Sequence, residues 1–209
     1  MSTADSLPHL YLASGSPRRR ALLTQIGVEF SPLDIDVAEV RQPNEAPEEY
    51  VQRLALDKAR AGMALLRGKR AVVLGADTLG VLAGDVLEKP QNQAHAAQML
   101  AAMSGTEHTV LSAVAVVDGY RERLELVQTY VKFRSISDTE IARYWQTGEP
   151  KDKAGGYAIQ GLGAVFVESI AGSYSAVVGL PLEATQRLLA AYNIPVWASA
   201  VLDRNRGES

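Results

Sequence analysis

The stretch LYLASGSPRRRALLTQIG, residues 10–27, decides the fold. Residues 10–13 form an apolar run and read as a buried strand. The run stops at Ser14-Gly15-Ser16, and a helix begins at once. Ser16 suits the N-cap, Pro17 the first helical position and Gly27 the position just past the C-terminal end. A strand that turns directly into a helix is the opening of an α/β unit. Arg18, Arg19 and Arg20 fall in the first turn of that helix. Cations are disfavoured there, because a helix N-terminus already carries partial positive charge. An anion at the junction resolves the misfit: free N–H groups, the hydroxyls of Ser14 and Ser16 and the arginine forks together make a phosphate cradle. Solvated arginines on an ordinary strand–helix junction are the alternative. GxxxxGK[ST] and GxGxxG are both absent, so the junction is neither a P-loop nor a dinucleotide fingerprint.

Outward from this stretch, the pattern is mixed α/β with hairpins rather than a strict βαβ series. Residues 28–37 look extended. A helix is expected over residues 47–66, with Val51, Leu54, Ala55, Ala59 and Met63 on its apolar face. Lys58 falls on the same face and either snorkels or reaches into a cleft. Residues 71–74 read as a central strand and Ala83-Gly84-Asp85 as a hairpin turn. A helix over residues 92–103 precedes a long hairpin of residues 108–118 and 123–134. Ser137 and Glu140 form a capping box for a helix ending near Gly148. A Gly-rich segment follows, then a strand over 164–170 and a last helix over 182–192. No repeat or low-complexity segment is present. Residues 1–209 read as one domain with loose ends at about 1–8 and 198–209.

The chain has 209 residues, 47% of them hydrophobic, a net charge of −3 and no cysteine. Disulfides and thiolate metal sites are excluded. A net acidic chain is poorly suited to tracking a nucleic-acid backbone, and no aromatic platform for stacking single strands is evident. No apolar run reaches membrane-span length and no signal peptide precedes the first strand, so neither a membrane nor a nucleic-acid partner is expected.

Candidate chemistry lies in separate segments. Asp77, in Gly75-Ala76-Asp77-Thr78, follows the central strand and either caps a turn or orients a water or a divalent cation at a cleft. Glu39, near Asp34 and Asp36, is a metal ligand or part of a solvated acidic loop. Pro90 ends a strand and helps aim Lys89. In the segment from Asp152 to Gly161, the paired Gly155-Gly156 allows close backbone approach, and Gln160 offers the donor and acceptor that suit a base edge. A structural Gly-rich loop is the alternative. His9, His95 and His108 sit in unrelated contexts without HExxH spacing, and no GxSxG elbow is present.

Together these segments resemble the Maf family of nucleoside triphosphate pyrophosphatases. The motifs are SGSPRR (14–19), GADT (75–78), EKP (88–90), GEP.DKAGGYAIQG (148–161) and GSYSAVVGLP (172–181), in family order over nearly the whole chain. Arg18, Thr78 and Gln160 are similar to the substrate-choice positions of the dTTP/UTP subgroup. The resemblance implies an α/β fold with a mixed twisted sheet, flanking helices and two lobes around a central cleft, similar to inosine triphosphate pyrophosphatases. It implies hydrolysis of a nucleoside triphosphate to monophosphate and pyrophosphate with Mg²⁺ or Mn²⁺. It assigns Asp77 as proton acceptor for the water. Arg18, Arg19, Lys58 and Lys89 would hold phosphates, Glu39 and Asp77 the metal, and Thr78 and Gln160 the base or sugar. Modified pyrimidine triphosphates fit the same logic. A cytoplasmic homodimer and a link to septum formation are further implications. A nucleotide-binding regulator of division with incidental hydrolysis is the competing expectation.

Overall fold

The computed structural model describes residues 8–66 and 70–198. Seven strands form one mixed sheet in the order β2-β1-β3-β5-β6-β7, with β4 also on β3. The first two crossovers build its parallel part: β1 (His9–Ala13), α1 (Pro17–Gln25), β2 (Phe30–Leu33), α2 (Pro47–Leu65) and β3 (Ala71–Leu82). β1 pairs in parallel with β2 on one side and β3 on the other. The chain therefore leaves β1 at a point where strand order reverses, the usual place for a ligand crevice in such sheets. The rest is antiparallel: β4 (Asp85–Leu87), β5 (Glu107–Val117), β6 (Glu122–Phe133) and β7 (Val167–Ala171). Helices α3 (Gln93–Met103), α4 (Asp138–Gln146), α5 (Tyr174–Val178) and α6 (Leu182–Ala191) complete the chain.

Strand alternation sorts the core into two layers. Leu10, Leu12, Val72, Leu74, Val114 and Val116 share one buried cluster with Leu22 and Leu23 of α1 and with Leu100, Ile141 and Leu189 of α3, α4 and α6. Ala13, Val73, Ala113 and Ala115 face Val51, Ala55 and Ala59 of α2. A Cβ on Gly75 would lie 2.3 Å from the Ala55 carbonyl oxygen and 2.5 Å from the Ala59 nitrogen. The backbone of α2 therefore rides directly on β3, with no side chain between them.

One edge of β3 is interrupted. β5 pairs with it continuously from Val73 to Val81. On the opposite edge β1 stops at the Ala13–Gly75 pair, and β4 begins only at the Gly80–Leu87 pair. On that edge residues 76–79 have no strand beside them among the described residues, and a cleft borders Thr78 and Leu79.

Several expectations need correction. The strand expected over 71–74 continues to Leu82, because pairing with β5 carries it past the end of the apolar run, so Asp77 is mid-strand rather than beyond it. Within residues 28–37 only Phe30–Leu33 is strand, since only that stretch finds β1 as partner. Residues 164–166 are not strand: Leu162–Phe166 is a 3-10 turn, wound by backbone bonds to the Glu149 carboxylate. The segment GSYSAVVGLP holds a short helix, α5, capped by the Ser173 hydroxyl on the Ala176 N–H. The capping box at Ser137 and Glu140 and the positive φ of Gly27 are as expected. Of the loose ends, residues 1–7 and 199–209 lie outside the described residues.

Candidate active site

The site begins where β1 ends. Ser14 turns inward and is buried, and its hydroxyl accepts from the Ser16 N–H at 3.2 Å and from Arg19 Nη1 at 3.3 Å. Ser16 is the N-cap of α1, but no side chain caps the helix, and no acidic residue sits in its first turn. Its leading N–H groups are thus open to an anion, as the cation-rich first turn suggests.

Arg19 spans the window. Its Nε donates to the Gly179 carbonyl at 2.8 Å, Nη1 to Ser14 and Nη2 to Thr78 Oγ1 at 3.5 Å. The Gly179 carbonyl is presented by the end of α5, which is why GSYSAVVGLP belongs to the site. Ser173 N–H donates to Thr129 Oγ1 at 3.1 Å and seats that helix on β6. Burial lowers the Arg19 pKa and the Asp77 charge opposes the shift; guanidinium remains protonated.

Asp77 and Lys58 meet on the α2 face. Lys58 is buried, and its Nζ donates to Asp77 Oδ1 at 2.7 Å and to Glu39 Oε1 at 2.5 Å. Of the two readings of Lys58, the structure selects the one that reaches into the cleft. Partial burial pushes the Glu39 carboxyl up, but the Lys58 hydrogen bond and the charges of Lys58, Lys89 and Arg19 outweigh it and hold it below the usual range. Lys89 is exposed and contributes through that field.

Two connected compartments share Ser16 and Arg19. The polar one, of about 350 Å³, takes in Ser14, Glu39 and Lys58. The other, of about 130 Å³, is walled by Leu87, Val110, Ile159 and Val178, with Arg18, Thr78 and Gln160 among its polar groups. Polyanion-binding groups and a slot of mixed polar and apolar lining thus lie side by side, an arrangement that suits a nucleotide. Eight of the ten expected site residues line the two compartments: Ser14, Ser16, Arg19, Glu39 and Lys58 the polar one, and Arg18, Thr78 and Gln160, with Ser16 and Arg19 again, the slot; Asp77 joins them through Lys58, and Lys89 lines neither and bears on Glu39 through its charge.

Oxygen donors on Glu39 and Asp77 converge on one point, where Lys58 Nζ now sits. Two hard carboxylates suit Mg²⁺ or Mn²⁺ if phosphate oxygens and water complete the shell. Among the described residues no group of three or more His, Asp or Glu could hold a metal by itself.

Some participants were not legible. Ser112 bonds Thr78 at 2.6 Å across the β3–β5 pair, a relation that only the register reveals. His108 lines the slot, is buried and bonds the Tyr157 hydroxyl at 2.8 Å. Burial alone lowers its pKa to about 4, so the ring is neutral at ordinary pH. Among the described residues no helix is long and apolar enough to cross a membrane.

The sequence profile described as Maf-like protein matches residues 9–192. A protein named dTTP/UTP pyrophosphatase from Saccharophagus degradans is 53% identical over 195 residues, 92% of this chain and 93% of that one. A protein of the same name from Escherichia coli (strain K12) is 54% identical over 184 residues, covering 88% and 93%. A third, from Alkalilimnicola ehrlichii, is 51% identical over 191 residues, covering 90% and 94%. Among solved structures, protein VC0702 from Vibrio cholerae overlaps at a TM-score of 0.33 with 11% identity, over 68% of this chain and 71% of that one. The profile match spans most of the chain and the identities exceed one half: this chain belongs to the Maf family.

Proposed function

We propose that this chain hydrolyses dTTP and UTP to the monophosphate and pyrophosphate by attack of water on the α-phosphorus. One observation carries the reading: a polar compartment lined by Arg19, Lys58 and Glu39 shares Ser16 and Arg19 with a slot of mixed polar and apolar lining that has the Gln160 amide along it. The names and identities of the relatives support the same substrates.

The α1 N-terminus, Ser14, Ser16 and Arg19 hold the phosphates, with Arg18 and Lys89 adding charge at the rim. Lys58 leaves its carboxylates for a phosphate oxygen as the nucleotide enters. Glu39 and Asp77 are then free to hold Mg²⁺ or Mn²⁺. When bound, the metal supplies charge neutralisation on the reacting phosphates and the departing pyrophosphate. Asp77 orients the attacking water and accepts its proton. Thr78 is fixed by Ser112 and faces the sugar or base, and Gln160 reads the base edge. A pyrimidine pairs its polar edge with this exposed amide, and a base with a mismatched edge forgoes a hydrogen bond worth about 0.5–1.5 kcal/mol. Modified pyrimidine triphosphates meet the same contacts. A cytoplasmic homodimer connected with septum formation completes the reading, on family resemblance.

The test is a hydrolysis panel of dTTP, UTP, CTP, GTP and 7-methyl-GTP with Mg²⁺ or Mn²⁺, scoring pyrophosphate against phosphate. Pyrophosphate from dTTP and UTP, lost in Asp77→Asn, is the expected result. A folded protein that binds these nucleotides without turning them over would instead be a regulator.

A further inference from the structure

Gln160 stands in a segment with little regular structure, and one carboxylate shapes it. Glu149 accepts from the Tyr144 hydroxyl at 2.6 Å, the Leu162 N–H at 2.9 Å and the Gly163 N–H at 2.9 Å. The Tyr144 oxygen in turn accepts from the Ala158 N–H at 3.2 Å. Both flanks of Gln160 are therefore tied to a single carboxylate–phenol pair. The chain wraps it closely: a Cβ on Gly161 would lie 2.1 Å from Glu149 Oε2, and one on Gly163 2.6 Å from the Tyr144 oxygen. Tyr144 is itself buried in α4 and packs edge-to-face on Phe166 at 5.0 Å. Burial pushes the Glu149 carboxyl up, but the hydrogen bonds from Tyr144, Leu162 and Gly163 prevail and hold it below its ordinary range.

We propose that Glu149, through Tyr144 and the backbone of residues 158–163, is a positioning residue for base recognition, setting where the Gln160 amide meets the pyrimidine. The proposal rests on the base-reading role of Gln160 given above. Glu149 belongs to neither compartment and touches neither phosphate-binding nor proton-accepting groups. Its loss should therefore raise KM and blur selectivity while sparing the chemical step.

The experiment compares Glu149→Gln, Tyr144→Phe, Gln160→Ala and the double variant Glu149→Gln/Gln160→Ala in the full chain, with circular dichroism for the fold. Glu149→Gln keeps the shape but sets an NH₂ donor against a backbone N–H or the phenol. The expected result is a rise of ~10-fold in KM for dTTP with kcat nearly kept, and a matching fall in the dTTP-over-GTP ratio of kcat/KM. Tyr144→Phe shifts both the same way by less, and carries the test alone if Glu149→Gln does not fold. The double variant should discriminate no worse than Gln160→Ala, because the two residues act in series. Retained selectivity in folded Glu149→Gln, with selectivity lost in Gln160→Ala, would overturn the proposal and leave base reading intact. Multiplying losses in the double variant would also overturn it. Unchanged selectivity in Gln160→Ala would strike down the base-reading role and this proposal with it.

Discussion

Asp77 and Thr78 are consecutive in β3, and their side chains leave opposite faces of the sheet. Asp77 points to α2, where Lys58 Nζ meets it at 2.7 Å; Thr78 points to Ser112 at 2.6 Å and to Arg19. One strand thus serves both compartments, and a change at either position should be separable from the other.

Asp77→Asn should keep the fold and nucleotide binding while kcat falls by ~10²–10⁴-fold, the usual contribution of a positioned proton acceptor. Stopped assays for pyrophosphate, with calorimetric dTTP titration on the same sample, check both halves. Turnover close to wild type would remove Asp77 from the chemistry.

Lys58→Met leaves Glu39 and Asp77 without their shared cation. Breaking a buried pair costs about 3–5 kcal/mol, and the half-exposed Glu39 places the loss at or below the lower end. Mn²⁺ added with pyrophosphate, whose oxygens complete the shell begun by the two carboxylates, should then raise the melting temperature of the variant more than that of the wild type, by replacing the ammonium. Equal shifts in both proteins would mean that these carboxylates form no cation site.

Gly75→Ala puts a methyl group into the backbone of α2, 2.3 Å from the Ala55 oxygen. Overpacking of this kind costs about 1–3 kcal/mol. Because α2 carries Lys58, kcat/KM should fall as well. Urea unfolding and dTTP hydrolysis measured together test the coupling; a stable variant of full activity would show that α2 has room to move.

His108 gives a pH signature. Its pKa is about 4 in the fold against an ordinary 6.5, so the unfolded chain takes up a proton first as pH falls. Stability from this group is complete above about pH 6.5 and is lost down to about pH 4, roughly 3 kcal/mol in all. Denaturant melts across that window should flatten in His108→Asn relative to wild type. Carboxylates such as Glu140, lowered from 4.5 to about 2 chiefly by Arg134, lose their contribution from about pH 4.5 down to about pH 2, so they overlap only the acid end of the His108 window. An unchanged slope would show that His108 titrates normally.

Residues whose position follows from local rules were legible: the strand–turn–helix at Ser14 to Arg19, the capping box at Ser137, and Lys58 on a helical stripe. Roles created by register were not. Ser112 looks like any small polar residue in an apolar strand until β3 is aligned beside it. His108 belongs to no motif spacing, and its partner Tyr157 is 49 residues away. The strand at 71–74 was cut short for the opposite reason: Gly75 to Thr78 breaks the apolar run, yet pairing with β5 ignores side-chain polarity. Lys89 and Glu39 were recognisable by motif and resemblance, whereas their mutual influence is a matter of distance alone.

The interruption along β3 has a further meaning. A central strand is ordinarily the least accessible part of a sheet, its main chain spoken for on both sides. Here the length of β1 and the starting point of β4 leave a four-residue notch, residues 76–79, in the middle of the fold. The notch is set by where two neighbouring strands stop. One added β1 pair would begin to zip it shut, and one removed would widen it toward the Gly75 contact. The slot's floor, at Thr78 and Leu79, is thus the free edge of a central strand rather than a loop.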